Sequence, residues 1–299
     1  MRTPFCGVGT ALVTPFTKSG DLDEAAVRRL ARRQVDAGIH FLCPCGTTGE
    51  NPTLTDAERL RIIEIVVEES HGKVPVLAGA GGYDTKELIH IAAEMARRGV
   101  SGFLSVTPYY NKPTQEGLYQ HYRAFAESTP LPIVVYNVPG RTGVNVEVST
   151  LVRLAQIPNI VGVKEASGNV GQMCEIVNAS PSNFLVLSGD DGLTLPLMAI
   201  GGRGIISVAG NEIPAEMVQM VEAAERNDFA AARAVHARIL PLMSINFVES
   251  NPQPVKYAMA AMGLLEETFR LPMVSPAAAS KEKINGVLKA LGLLKGALV

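Results

Sequence analysis

Short, almost wholly apolar runs recur along the chain at 8–13, 39–43, 74–78, 102–106, 133–136, 160–163, 184–187 and 204–208. Runs without a polar alternation belong to strands covered on both faces, as in a parallel sheet, and spacings of about 20 to 35 residues leave room for a helix between neighbours. The segments between them carry helix punctuation. Asp23 can cap a helix with Val27, Leu30, Ala31 and Val35 on one face and Gly38 as its left-handed stop. Thr55 and Glu58 form a capping box ahead of Leu60, Ile63 and Val67, and 85–98 reads as an amphipathic helix ended by Gly99. Eight strand–helix alternations predict a closed (β/α)₈ barrel, the TIM-barrel class of α/β fold. A doubly wound open sheet is the rival, but such sheets more often have about five or six strands, and no glycine-rich dinucleotide turn follows the first run. Beyond Glu212 the strand pattern stops, and helices are expected at 215–226, 229–243 and 281–291. The chain thus divides into a barrel over 1–225 and a C-terminal helical extension over 226–299 that is not an independent domain.

Composition narrows the function classes. Hydrophobic residues make up 47% of 299 and charged residues 19%, enough for a substantial core. A net charge of −2 with no long basic block offers no field for nucleic acid or anionic lipid, so neither partner is expected. No apolar run approaches the roughly 20 residues of a spanning helix, and the amino terminus lacks the apolar stretch of a secretory signal, so a cytoplasmic location is expected. Four cysteines are too few for a disulfide framework. Cys43 and Cys45, two residues apart, would share one face of a strand as packing groups.

Catalytic groups in a barrel gather where strands end and the following loops begin. The sixth run continues into Lys164-Glu-Ala-Ser-Gly, placing a lysine at the mouth of an apolar strand. An amine nucleophile must be neutral, a free lysine with pKa about 10.4 is not, and desolvation is the remedy a barrel mouth supplies. The plainer alternative pairs Lys164 with a carboxylate such as Glu165. The fifth run leads to Tyr136-Asn-Val-Pro-Gly-Arg141, a phenol able to move a proton and a guanidinium able to hold a carboxylate; the alternatives are a packed aromatic and an exposed loop charge. The second run leads to Gly46-Thr47-Thr48-Gly49-Glu50, where successive N–H groups can converge on an anion; it is not a P-loop, since no Gly-Lys-Ser/Thr follows. Asp190 and Asp191 invite a metal reading, but no ligand set at the right spacing surrounds them and a helix N-terminus would account for both, so no metal is expected.

Together, Gly46–Glu50, Tyr136–Thr142, Lys164–Gly168 and Ser188–Asp191, in this order and each at a strand end, resemble the family of dihydrodipicolinate synthases and N-acetylneuraminate lyases over about residues 8 to 290. The resemblance implies that Lys164 forms a Schiff base with pyruvate, that Thr47 and Thr48 hold its carboxylate, and that Tyr136 shuttles protons. The protonated imine is then the electron sink, and no cofactor is required. It further implies that Tyr110 enters a neighbouring subunit's proton relay, so the protein is a homo-oligomer, a tetramer built as a dimer of dimers. Gly189 and Ile206 would line the pocket, and Arg141 would take the carboxylate of L-aspartate 4-semialdehyde. A 2-keto-3-deoxy sugar acid or sialic acid aldolase is the enzymatic alternative. A keto-acid binding regulatory protein is the non-enzymatic one, disfavoured because every nucleophile, proton-transfer and anion-holding position is occupied.

Asn51 departs from the family pattern, in which a serine or alanine is common at that place. Members that respond to lysine commonly carry histidine or lysine where this chain has Asp56 and Arg59, and asparagine where it has Tyr83, although Glu87 and Tyr109 match. Poor inhibition by lysine is therefore expected in an initial-rate assay; half-inhibition at submillimolar lysine would contradict it.

Overall fold

The computed structural model describes residues 4–294; the first three positions of the expected barrel and the last five of the expected extension lie outside them. The strands are β1 (Gly7–Ala11), β2 (Phe41–Cys43), β3 (Leu77–Gly79), β4 (Gly102–Val106), β5 (Ile133–Asn137), β6 (Ile160–Glu165), β7 (Leu185–Ser188) and β8 (Gly204–Ser207). They pair in parallel in the order β2-β1-β8-β7-β6-β5-β4-β3. A parallel bridge between Leu42 and Val76 joins the two ends of this row, with the Leu42 N–H donating to the Pro75 carbonyl at 3.0 Å and the Gly79 N–H to the Pro44 carbonyl at 2.8 Å. The sheet therefore closes into the expected barrel and leaves no open edge. β3 lies slightly later than the apolar run at 74–78. Its last residue, Gly79, passes so close to β2 that a Cβ there would sit 2.2 Å from the Cys45 carbonyl oxygen.

Helices α1 (Glu24–Asp36), α2 (Asp56–Ser70), α3 (Thr85–Arg97) and α4 (Gln115–Glu127) follow the first four strands, and the four-residue turn α5 (Pro139–Thr142) and α6 (Val148–Leu154) follow β5. α7 (Val170–Ala179), α8 (Thr194–Ala199) and α9 (Pro214–Glu225) follow β6, β7 and β8. The expected caps form: Asp23 accepts from the Ala26 N–H at 2.9 Å, Gly38 has φ +80°, and Thr55 and Glu58 make a reciprocal box. The tail comprises α10 (Phe229–Ile245), α11 (Gln253–Ala261) and α12 (Ala278–Ala290), α11 being additional to the helices the apolar pattern marks out. α10 packs on α9, and α12 packs on both α10 and α11.

Two apolar layers result from strand alternation. On β5, Ile133 and Val135 face the helices while Val134 and Tyr136 face the barrel interior with Phe41, Leu104 and Leu187. β6 breaks strict alternation: Ile133 pairs with Ile160 but Val134 pairs with Gly162, so Val161 is skipped. One skipped residue reverses which face the following side chains take. From that point Tyr136 pairs with Lys164, and the lysine shares the inner face.

Behind β4, His121 of α4 is buried, hydrogen-bonded through Nδ1 to Thr85 at 2.8 Å and set edge-on to Tyr122. Burial pushes its imidazole down to about 4. The folded value lies below the unfolded one, so the neutral side chain's contribution is complete above about pH 6.5 and is lost as pH falls towards 4, on the order of 3 kcal/mol in all. Urea unfolding across pH 7 to 4 is expected to show this slope, and His121→Gln to reduce it by about one proton; an unchanged slope would contradict the assignment.

Candidate active site

β6 delivers Lys164 to the inner face of the barrel mouth, 5% exposed, between Tyr136 of β5 and Leu187 of β7. Its Nζ lies 4.3 Å from the centre of the Tyr136 ring. Glu165 does not pair with it, because alternation sends that carboxylate the other way. Glu165 accepts from the Asn137 amide at 2.9 Å, the Gln172 amide at 3.1 Å and the Ser167 N–H at 2.7 Å. Gly189, just past β7, makes room for the lysine: a Cβ there would meet Lys164 Cε at 3.1 Å and Ala166 Cβ at 2.5 Å. Ile206 is fully buried in the interior layer with Leu187 and Cys43.

After β2 the chain turns through left-handed Cys45 (φ +58°) and Glu50 (φ +54°). Between them the Gly49 and Glu50 N–H groups donate back to the Gly46 and Thr47 carbonyls, both at 3.1 Å. Thr47 lines a cavity of about 220 Å³ shared with Tyr136, Val138, Arg141 and Tyr109. Thr48 is buried, and its Oγ accepts from the Asn251 amide at 3.0 Å. Glu50 turns away from the cavity into an ion pair with Lys256 of α11, both side chains being removed from solvent. Lys256 Nζ also stands 4.4 Å from the centre of the Phe16 ring. Burial pulls its ammonium below the ordinary lysine range while the Glu50 carboxylate draws it back up. Arg270 completes the fastening, donating to the Thr53 carbonyl at 3.1 Å and to Glu58 at 2.9 Å, which holds the Glu58 carboxyl down at about 2.

Arg141, at the exposed rim, donates to the Asn251 carbonyl at 3.1 Å. Of the expected site residues, Thr47, Tyr136 and Arg141 line this cavity, whereas Lys164, Thr48, Gly189 and Ile206 are not among its lining residues; Tyr110 stands apart, 90% exposed at φ +70°. At the same rim Tyr83 packs edge-on to Tyr109 at 5.4 Å, and Arg59 is occupied by Asp56 and the Asn51 carbonyl, both at 3.0 Å.

Two sequence expectations need correction. Asp190 and Asp191 do not serve a helix N-terminus, since Leu193 precedes α8 without a side-chain cap. Asp191 instead accepts from the Ser207 hydroxyl and from the Val208 and Ala209 N–H groups at 3.1 and 3.0 Å, tying the loop after β7 to the end of β8. Burial raises its pKa while these bonds lower it. Cys43 and Cys45 do not share a face either: Cys43 joins the interior layer and Cys45 the outer one, because the left-handed residue at 45 redirects the chain. Burial pushes both thiols up to about 12, which makes them packing groups. Among the described residues no three His, Cys, Asp or Glu side chains gather to hold a metal ion. The pattern also gave no sign of Asn251 or Lys256, which lie some two hundred residues from the turn they hold.

The mouth of this TIM barrel thus holds Lys164 on its inner face beside Tyr136 and, next to it, a small cavity lined by Tyr136, Thr47 and Arg141, at the end of the barrel where enzymes of this fold carry their active sites. The Dihydrodipicolinate synthetase family model matches residues 4–291, and the chain belongs to that family. It is 52% identical over 294 residues to the 4-hydroxy-tetrahydrodipicolinate synthase of Koribacter versatilis, covering 98% of each chain. Its fold matches the crystal structure of dihydrodipicolinate synthase from Aquifex aeolicus with a TM-score of 0.95 and 43% identity, over 98% of this chain and 100% of that one. The chloride-inhibited dihydrodipicolinate synthase of Acinetobacter baumannii, complexed with pyruvate, is similar at 40% identity and a TM-score of 0.95, over 97% and 99% of the two chains.

Because Lys256 and Glu50 are dry, removing one partner strands the other. Lys256→Ala is expected to lower stability by about 3–5 kcal/mol, and Lys256→Met combined with Glu50→Gln to recover most of it. Urea denaturation measures both; equal losses in the single and double variants would show that the pair is not the cause.

Proposed function

We propose that this chain is a 4-hydroxy-tetrahydrodipicolinate synthase, condensing pyruvate with L-aspartate 4-semialdehyde in lysine biosynthesis. The observation that carries the reading is the placement of Lys164 on the inner face, its Nζ 4.3 Å from the Tyr136 ring centre, in a chain half identical over nearly its full length to a synthase of that name.

The neutral Lys164 amine attacks the pyruvate ketone carbon, and the carbinolamine loses water to give a protonated imine. Thr47 and Thr48 hold the pyruvate carboxylate, and Tyr136 carries protons to and from the ketone oxygen and the methyl carbon. Loss of a methyl proton gives an enamine, which adds to the aldehyde. Arg141, at the rim, takes the semialdehyde carboxylate in a charge-assisted pair. The semialdehyde's own amine then replaces lysine on the imine carbon, closing the ring and freeing Lys164. One water is released overall. The electron sink is the imine itself, so the reaction needs neither metal nor organic cofactor.

The barrel at 1–225 supplies these groups, and the extension at 226–299 braces them through Asn251 and Lys256. Tyr110, exposed at a left-handed backbone position, suits insertion into a neighbouring subunit. The protein is then a cytoplasmic homotetramer, a dimer of dimers. None of its described helices is long and apolar enough to cross a membrane.

Purified protein given pyruvate and L-aspartate 4-semialdehyde is expected to form the cyclic product, followed by mass spectrometry. Arg141→Ala should lose about 10- to 100-fold in kcat/KM for the semialdehyde, mostly through KM. Rapid cleavage of 2-keto-3-deoxy sugar acids or N-acetylneuraminate, with no product from the semialdehyde, would replace this reading with an aldolase for those acids.

A further inference from the structure

Asn251 lies in the segment between α10 and α11, far along the chain from every residue assigned to the site, yet it touches two of them. Its side-chain amide donates to Thr48 Oγ at 3.0 Å, and its backbone carbonyl accepts from Arg141 at 3.1 Å. The residue is 95% buried, its exposure being 5%, and its Oδ1 has no hydrogen-bond partner. A buried amide that leaves its own oxygen unpaired while giving its N–H to a hydroxyl is costly unless that bond serves another purpose.

The polarity of the bond indicates the purpose. A threonine hydroxyl has one proton and two lone pairs. With one lone pair occupied by the Asn251 N–H, Thr48 keeps its own proton to donate, and the accepted bond polarises that O–H further. We propose that Asn251 is a positioning residue that fixes the Thr48 hydroxyl as a hydrogen-bond donor to the keto-acid carboxylate, and that its backbone separately orients Arg141. This rests on the Schiff-base reading of the site, with pyruvate as the acid. The two links are chemically independent: side-chain changes cut the first and leave the carbonyl that serves Arg141.

That independence makes a split in kinetic constants the informative readout. In initial-rate assays with the intact protein, Asn251→Ala should raise KM for pyruvate about five- to tenfold, the value of one neutral hydrogen bond. KM for L-aspartate 4-semialdehyde and kcat should stay within about twofold. Thr48→Val should raise the pyruvate KM as well, and Asn251→Ala should add almost nothing to it in the double variant, because both cut one linkage. Asn251→Asp keeps the shape and reverses the bond, since a carboxylate accepts the Thr48 proton and sets a like charge beside the substrate. Its pyruvate KM should exceed that of Asn251→Ala, and because it is isosteric it also serves if the alanine variant does not fold. Equal rises in both KM values, additive effects of Asn251→Ala and Thr48→Val, or an Asp variant that binds pyruvate as wild type does would each overturn the proposal. Wild-type protein that makes no product would remove the Schiff-base reading and this inference with it; normal wild-type turnover with unaffected variants removes the inference alone.

Discussion

The buried ion pair between Glu50 and Lys256 is the constraint on which the site depends. Two opposite charges out of water attract strongly, but each has lost its hydration, so such a pair persists only where the chain holds both groups in place. Here it joins the last residue of the threonine turn, in a left-handed conformation, to a helix of the C-terminal tail. Phe16 and Phe269 stack against the ammonium, and Arg270 repeats the connection through Glu58 and the Thr53 carbonyl. The tail is therefore part of the active-site scaffold although it contributes no strand to the barrel. With the turn fixed from behind, Thr47 keeps its place at the cavity and Thr48 its place against Asn251.

A second constraint acts on Lys164. The skipped pairing at Val161 turns the last part of β6 so that Lys164 points inward and Glu165 outward. Without it, the carboxylate would enter the mouth and the amine would face the helices. Each side chain is then placed by its surroundings: Glu165 by Asn137, Gln172 and the Ser167 N–H, and Lys164 by the Tyr136 ring and the space that Gly189 leaves open.

The fold was legible in the sequence because its signals are local. Unbroken apolar runs marked the strands, and Asp23, Gly38 and the Thr55–Glu58 box marked helix ends through bonds spanning only a few residues. The placing of Lys164, Tyr136 and Arg141 near strand ends followed from the same pattern. Features set by strand register or distant contacts were not visible. Skipping one residue in β6 leaves no mark in composition, and a left-handed Cys45 has no glycine to announce it, so the two cysteines were assigned one face and occupy two. Local pattern points Asp191 to a helix N-terminus because the loop that it braces, after β8, comes from another part of the chain. Asn251 and Lys256 sit in an ordinary helical tail, and only folding brings them to the turn. Tyr110 is a different case: within one chain it meets solvent, and neither the sequence pattern nor the fold of one chain gives it a partner among the described residues.

The claim on which the rest turns is that Lys164 forms a covalent imine with pyruvate. Borohydride reduction in the presence of pyruvate, followed by intact-mass measurement and peptide mapping, tests it most directly, with Lys164→Ala as the control. A single adduct in the wild-type protein, mapped to Lys164 and missing from the variant, is the predicted result. Absence of adduct from the wild type, or an adduct that survives in Lys164→Ala, would contradict the Schiff-base mechanism at this site.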